Sequence, residues 1–221
     1  MNRNSRSLSL AVTLMIALGA ALAAVAFSDG QTAHAHQHAK TVTAKELKLR
    51  NDMRKLWEDH VTWTRLAVIS LTSGTADTNA TVARLLRNQT DIGNAVKPFY
   101  GRAAGAELTR LLREHITIAA ALITAAKAGD KPAQAAAQTR WETNADQIAR
   151  FLSRANPHWK LGPMRSMLRD HLRLTAREVV ARLQRNWTAD VAAYDEIHRQ
   201  ALHMADMLST GIVGQFPKRF R

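Results

Sequence analysis

The sequence predicts an all-α protein: an antiparallel bundle of about six helices, built from three related αα-hairpins and preceded by an export signal. Three observations predict this fold. Apolar residues recur at three- and four-residue steps along most of the chain, which is the spacing of one face of an α-helix. No segment alternates apolar and polar residues as a half-buried strand does. A short motif centred on histidine also occurs three times, at positions 60, 115 and 171.

Residues 1–35 have the features of a signal peptide. Arg3 and Arg6 give a basic start, and residues 8–27 form an apolar run without charge. Two small-x-small cleavage sites follow, Ala24-Val25-Ala26 and Ala33-His34-Ala35. The second has the more typical polar approach, so we expect a mature start at His36. Residues 8–27 are also just long enough to be an uncleaved membrane anchor. Both alternatives predict an exported, extracytoplasmic protein.

The composition restricts the chemistry of the exported domain. The chain has no cysteine, which excludes disulfides and cysteine-based metal, iron–sulfur and redox sites. The formal net charge is +13, and it is +12 without residues 1–35, which carry two basic residues and one acidic residue. In an exported protein this charge favours an anionic membrane or envelope surface as partner over nucleic acid, although simple solubility explains it equally well.

A polar lead-in at residues 36–44 precedes a predicted helical bundle domain at residues 45–215. Glycine, proline and capping residues set the predicted helix boundaries. Lys97-Pro98 closes the second helix, and Pro132 suits the first turn of the fourth, where its missing N–H costs nothing. The predicted spans are 45–73, 78–96, 105–128, 132–154, 163–184 and 188–211. The short connections within pairs predict antiparallel neighbours.

The recurring motif lies on the first, third and fifth predicted helices. Its copies are residues 56–62, 111–117 and 167–173, with central histidines His60, His115 and His171. An amide side chain follows each histidine by 28 or 29 residues, on the next helix: Asn88, Asn144 and Gln200. We interpret the three copies as related αα-hairpins.

Two interpretations of the histidines are open. His60 and His115 sit within apolar helix faces and His171 at the edge of one, and an unsatisfied buried imidazole costs on the order of 1–3 kcal/mol. In the first interpretation each imidazole bonds the amide of its partner helix as part of the core. In the second, the imidazoles converge to ligate a transition metal or to contact a small polar ligand or cofactor.

No catalytic signature is complete. The chain lacks the His-Glu-x-x-His of zincins, and only residues 195–198 approach the Glu-x-x-His repeat of dinuclear bundles. It also lacks a Gly-x-Ser-x-Gly elbow, a phosphate-binding loop and a dinucleotide fingerprint. The predicted function is therefore a non-enzymatic extracytoplasmic binding or envelope-associated module. The alternative is a metal- or cofactor-binding helical bundle that uses the three histidines.

Four segments resemble a group of exported bacterial all-helical proteins. They are residues 56–66, 84–88, 97–101 and 201–211. The resemblance covers nearly all of the mature chain. It implies a helical fold and export, and it implies no activity, because none is established for that group.

Overall fold

A computed structural model describes residues 41–221. The predicted signal segment at 1–35 and the first part of the lead-in, 36–40, lie outside the described residues. Within the described range the fold is all-α, as predicted, and contains five α-helices, one short 3-10 helix and no strand. The α-helices are α1 Ala44–Ser73, α2 Thr78–Ala128, α3 Lys131–Ala155, α4 Leu161–Leu183 and α5 Trp187–Gln215, and Pro217–Phe220 form the 3-10 helix.

The helix ends have the local chemistry that the sequence indicates. Thr43 and Glu46 form a capping box at the start of α1, with 3.2 Å between the Glu46 amide nitrogen and the Thr43 hydroxyl oxygen. Asp130 caps α3 by accepting a hydrogen bond from the Ala133 amide at 3.0 Å. Gly74 and Gly129 follow α1 and α2 with φ values of 72° and 71°, a left-handed conformation that glycine adopts without strain.

The predicted count of six helices is not confirmed, because residues 78–128 form one assigned helix. Pro98 lies inside this helix and does not end it, contrary to the prediction. The only non-helical residue is Gly101, at φ 84° and ψ 170°. The two halves, 78–100 and 102–128, nevertheless pack on each other. A Cβ atom on Gly93 would lie 1.9 Å from the Thr109 hydroxyl oxygen. One glycine at positive φ redirects the chain without a loop.

The helices are packed in a closed cycle. In that cycle α1 contacts α2 and α5, α3 contacts α2 and α4, and α4 contacts α5. The first and last residues of the described bundle meet, because the Thr43 hydroxyl donates to the Phe220 carbonyl at 2.7 Å. Phe220 is buried, so the domain extends beyond the predicted end at residue 215. None of the helices in residues 41–221 is long and apolar enough to cross a membrane.

Candidate ligand site

His60, His115 and His171, which we call the histidine layer, come together in the bundle core. They lie on α1, on the second half of α2 and on α4. The ring centroids of His60 and His171 are 5.8 Å apart, and all three histidines line the same two small cavities. Helical segments that carry a histidine alternate along the chain with segments that carry an amide. The fold brings the three histidines together from distant parts of the chain.

The amide partner of His115 fixes the orientation and protonation of the ring. The Asn144 side-chain nitrogen donates to the Leu111 carbonyl at 3.1 Å, and the Asn144 Oδ1 lies 2.8 Å from His115 Nδ1. A backbone carbonyl only accepts hydrogen bonds, so the Asn144 oxygen must face the ring. Nδ1 of His115 therefore carries the proton, and Nε2 keeps a lone pair on the opposite side.

The same unit occurs on α4 and α5. Gln200 donates from Nε2 to the Met167 carbonyl at 3.1 Å, and its Oε1 lies 3.0 Å from His171 Nδ1. In the first copy, Asn88 donates to the Leu56 carbonyl at 3.0 Å. In each copy the accepting carbonyl belongs to the residue four positions before the histidine. All three amides named from the sequence thus contact the helix that carries their histidine.

His60 has an additional neighbour, Gln89, that the sequence analysis did not select. Gln89 Nε2 lies 3.2 Å from His60 Nδ1, but its two N–H groups also meet the Leu85 carbonyl at 2.8 Å and the Asn88 Oδ1 at 3.1 Å. His60 Nδ1 therefore faces an amide nitrogen, whereas the Nδ1 atoms of His115 and His171 face amide oxygens. Gln89 Oε1 is buried and has no hydrogen-bond partner within residues 41–221.

The histidine layer is uncharged at neutral pH. Burial, with smaller contributions from the neighbouring His171 and His115, lowers the pKa of His60 to about 3. Burial also lowers the pKa of His115 to about 4 and lowers the pKa of His171. The rings of His115 and His171 donate from Nδ1, and each offers an Nε2 acceptor for which the described residues provide no hydrogen-bond donor.

The two cavities beside the histidine layer contain other unpaired polar atoms. The first has a volume of about 30 Å³ and is also lined by Thr64 and Trp141. The second has a volume of about 40 Å³ and is also lined by Gln89. The hydroxyl oxygen of Thr64 and the indole Nε1 of Trp141 are buried without a partner in the described chain, like Gln89 Oε1. Trp141 is 3% exposed and Gln89 is fully buried, so both side chains lie away from bulk solvent.

A third cavity lies between this region and a groove on the surface, and it shares wall residues with both. Its volume is about 70 Å³, and it shares Trp141 and Thr175 with the first cavity. It shares Gln138, Ala176 and Val180 with an open groove of about 740 Å³ along α3, α4 and α5. Shared walls place the groove, the third cavity, the first cavity and the histidine layer in sequence from the outside inwards.

A second polar feature, the charged cluster, consists of Arg65, Glu178, Arg182 and Asp190. Arg65 donates to Glu178 at 2.7 Å and to both carboxylate oxygens of Asp190, and Arg182 donates to Asp190 at 3.1 Å. The carboxylate side chains are only 1% and 2% exposed. Burial raises the pKa of Glu178. Burial also acts to raise the pKa of Asp190, but hydrogen bonds from the two arginines outweigh it and lower that pKa.

The geometry bears directly on metal binding. As the side chains are placed, no group of three or more histidine, cysteine, aspartate or glutamate residues in 41–221 could hold a metal ion. A metal at the histidine layer would therefore require the rings to move towards one another. The fixed Nδ1–H groups would suit metal ligation, because metal-binding histidines usually donate their second ring N–H to an oxygen acceptor.

No known family model, curated protein or solved structure matches the chain.

Proposed function

We propose that this protein is an exported, non-enzymatic binding protein whose ligand is held by the histidine layer. The observation that carries the proposal is that three imidazoles from separate helical segments share two cavities, and that His115 and His171 each offer an Nε2 acceptor. These two rings are oriented in advance, because they donate from Nδ1 to the side-chain oxygens of Asn144 and Gln200. A site oriented in this way loses little conformational entropy when it binds a ligand.

The chemistry of the site favours binding over catalysis. Neither cavity at the histidine layer is lined by a carboxylate, lysine or arginine. The histidine pKa values of about 3 and about 4 at His60 and His115 make these rings weak bases at neutral pH. General acid–base catalysis is most effective when the pKa of the group is near the working pH.

Export by residues 1–35 is the second part of the proposal. It is supported by the basic start, the apolar run and the cleavage site of that segment. Expression of the full chain in a bacterial host, followed by fractionation and intact-mass measurement, tests it. We expect a processed extracytoplasmic form that begins at His36. An unprocessed membrane-bound form would favour the anchor, and retention in the cytoplasm would contradict export.

We also propose that the domain arose from three related αα-hairpins. The support is the repeated unit in which an amide donates to the carbonyl four residues before a histidine. The sharp bend at Gly101 divides α2 into two halves, so that each hairpin contributes one histidine and one amide.

Transition-metal binding is the second candidate function. The anchored Nδ1–H groups favour it, since they leave neutral Nε2 donors as metal ligands. The present spacing of the rings does not favour it.

One experiment tests the proposed function and distinguishes the two candidates. The exported protein is purified without chelator and denatured, and the released material is examined by elemental analysis and small-molecule mass spectrometry. We expect a stoichiometric ligand in the parent that is absent from a His115→Leu variant. His203→Leu is the matched control, because His203 is exposed on α5. Stoichiometric metal would select the second candidate. The same released material from the parent and His115→Leu would contradict a ligand at the histidine layer.

A further inference from the structure

We propose that the ligand is a small neutral hydroxyl compound with an apolar remainder, a short alcohol or a phenol, and that it enters from the groove along α3 and α4. This inference rests on the proposed binding function of the histidine layer. It concerns the chemical class of the ligand and its path into the core.

The walls of the three inner cavities indicate that the ligand is uncharged. Aspartate, glutamate, lysine and arginine are all absent from the residues that line them. An ion transferred to such a site would lose its hydration without gaining an opposite charge, and this costs several kcal/mol. The same environment lowers the histidine pKa values, because it also opposes a positive charge on the rings.

The unpaired polar atoms indicate a hydroxyl group. The Nε2 atoms of His115 and His171 only accept hydrogen bonds, so the ligand must donate one. The indole Nε1 of Trp141 only donates, so the ligand must also accept one. A hydroxyl group does both with a single oxygen atom. Both atoms belong to residues that line the first cavity, so one hydroxyl group there could pair with both.

The third cavity accommodates the apolar remainder. Most of its wall is aliphatic, formed by Leu122, Ile123, Val179 and Leu183 with small alanines. The first and third cavities have volumes of about 30 and about 70 Å³. At about 10–15 Å³ for each water-sized group, they hold roughly seven to ten non-hydrogen atoms. Phenol and 1-butanol are within this limit.

Ala176 marks the path from the surface. It lines both the open groove and the third cavity, together with Gln138 and Val180. Its small side chain leaves space between the groove and the interior. A large side chain at position 176 would narrow this passage without contacting the histidine layer.

Phenol and toluene are the probes that test the ligand class, because toluene has a similar shape without a hydroxyl group. Binding to the exported protein is followed by calorimetry and by the indole N–H resonance of Trp141. We expect saturable one-to-one binding of phenol with a shift of that resonance, and at least tenfold weaker binding of toluene. Equal affinity for the two compounds would overturn the inference, because it would show an apolar cavity without recognition of the hydroxyl group.

Two variants locate the hydroxyl group. We expect His171→Leu to weaken phenol binding about tenfold. Because this change also alters the core, Trp141→Phe is the second variant, and a similar loss is expected there. Trp159→Phe is the matched control: Trp159 also has a buried unpartnered Nε1, but it packs near Gly211 outside the three inner cavities. Equal losses in the Trp141 and Trp159 variants would contradict the assignment.

The path is tested by kinetics. Ala176→Phe is expected to slow phenol association at least tenfold, whereas Ala192→Phe, on the exposed surface of α5, leaves the rate unchanged. An unchanged rate in Ala176→Phe would overturn the path.

Zinc and butylammonium are the remaining probes. Saturable binding of zinc without phenol binding would overturn the neutral ligand class and leave a ligand at the histidine layer intact. If phenol, zinc and butylammonium all failed to bind, both this inference and the proposed function would be contradicted.

Discussion

The histidine layer and the charged cluster are two different ways of burying polar groups in one bundle. His171 and Glu178 are seven residues apart on α4, yet their partners differ in kind. The histidine pairs with the neutral amide of Gln200, and the glutamate pairs with the cation Arg65. In the charged cluster Arg65 contacts both carboxylates, whereas the imidazoles of His115 and His171 each keep a free acceptor. The charged cluster therefore joins α1, α4 and α5, while the histidine layer keeps acceptors for the ligand that we propose.

The histidines of the one region and Glu178 of the other also respond oppositely to acid. The folded protein holds the pKa of the histidines below the unfolded value, so the unfolded chain binds more protons as the pH falls. The pKa of Glu178 is raised in the folded state, so its protonation favours the fold. Burial is the largest cause of both pKa shifts. It opposes a charge of either sign, so it lowers the pKa of a histidine and raises the pKa of a glutamate.

Acidification is expected to have the largest effect. Below pH 6.5 each histidine that stays neutral in the fold lowers the free energy of unfolding by about 1.4 kcal/mol per pH unit. This loss continues down to the folded pKa, about 4 for His115 and about 3 for His60. We expect a total loss of several kcal/mol between pH 6.5 and 4, measured by urea unfolding. His60→Leu reduces the slope and His203→Leu leaves it unchanged. A flat profile over this range would contradict neutral burial.

Removal of the central cation should have the next largest effect. Arg65→Met leaves Glu178 and Asp190 without their shared partner, and unpairing a buried charge costs about 3–5 kcal/mol. The matched control is Arg54→Met, because Arg54 forms an exposed ion pair with Asp206 that contributes at most about 1 kcal/mol. Chemical denaturation at neutral pH measures both. If Arg65→Met lowered the free energy of unfolding by less than about 1 kcal/mol, the charged cluster would not be important for holding the three helices together.

Asn144→Asp would make one unit of the histidine layer resemble the charged cluster. A carboxylate beside Nδ1 stabilises the imidazolium, so the pKa of His115 should rise from about 4 by about one to three units. Titration of the ring proton resonances measures this directly. Because His115 would then lose less stability on acidification, the pH slope of the variant should be shallower. A pKa that stays near 4 would contradict the hydrogen bond between the two side chains.

The smallest expected effect is the difference in stability between valine variants of two threonines beside the histidine layer. The Thr64 hydroxyl is buried without a partner in the described chain, whereas the Thr175 hydroxyl donates to the His171 carbonyl at 2.9 Å. Replacing an unpaired polar group by an apolar one of similar shape is close to neutral, and removing a satisfied hydrogen bond costs about 1 kcal/mol. Thr175→Val should therefore be less stable than Thr64→Val in urea unfolding. The reverse order would indicate that Thr64 has the more important bond.

The predictable features were those with local or periodic signals. The helical class followed from the spacing of apolar residues. The amides followed from the 28 or 29 residues that separate each of them from its histidine. The bend at Gly101 was missed because Pro98 is the more visible helix breaker. A positive φ at one glycine does not alter the periodic spacing of apolar residues, so the sequence pattern does not reveal it. Gln89 was missed because Asn88 already satisfied the repeat. The approach of the three rings depends on helix packing, which spacing along one chain does not specify.

The charged cluster was missed for a different reason. Arg65, Glu178 and Asp190 come from three helices, with 113 and 125 residues between the paired positions. Each residue taken alone looks like an ordinary charge on an amphipathic helix. Only the folded bundle shows that the carboxylates are buried and face the same guanidinium group.

The hydrogen bonds between the first and last residues of the described bundle have a topological consequence. Thr43 and Lys45 hydrogen-bond to the carbonyls of Phe220 and Arg221, each at 2.7 Å. Together with the cyclic packing of the helices, these contacts make the domain a nearly closed circuit. A circular permutant that joins residues 41 and 221 through a short linker and opens at Gly129 would keep every helix beside its present neighbours. The order in which the helices leave the ribosome is thus separable from the order in which they pack.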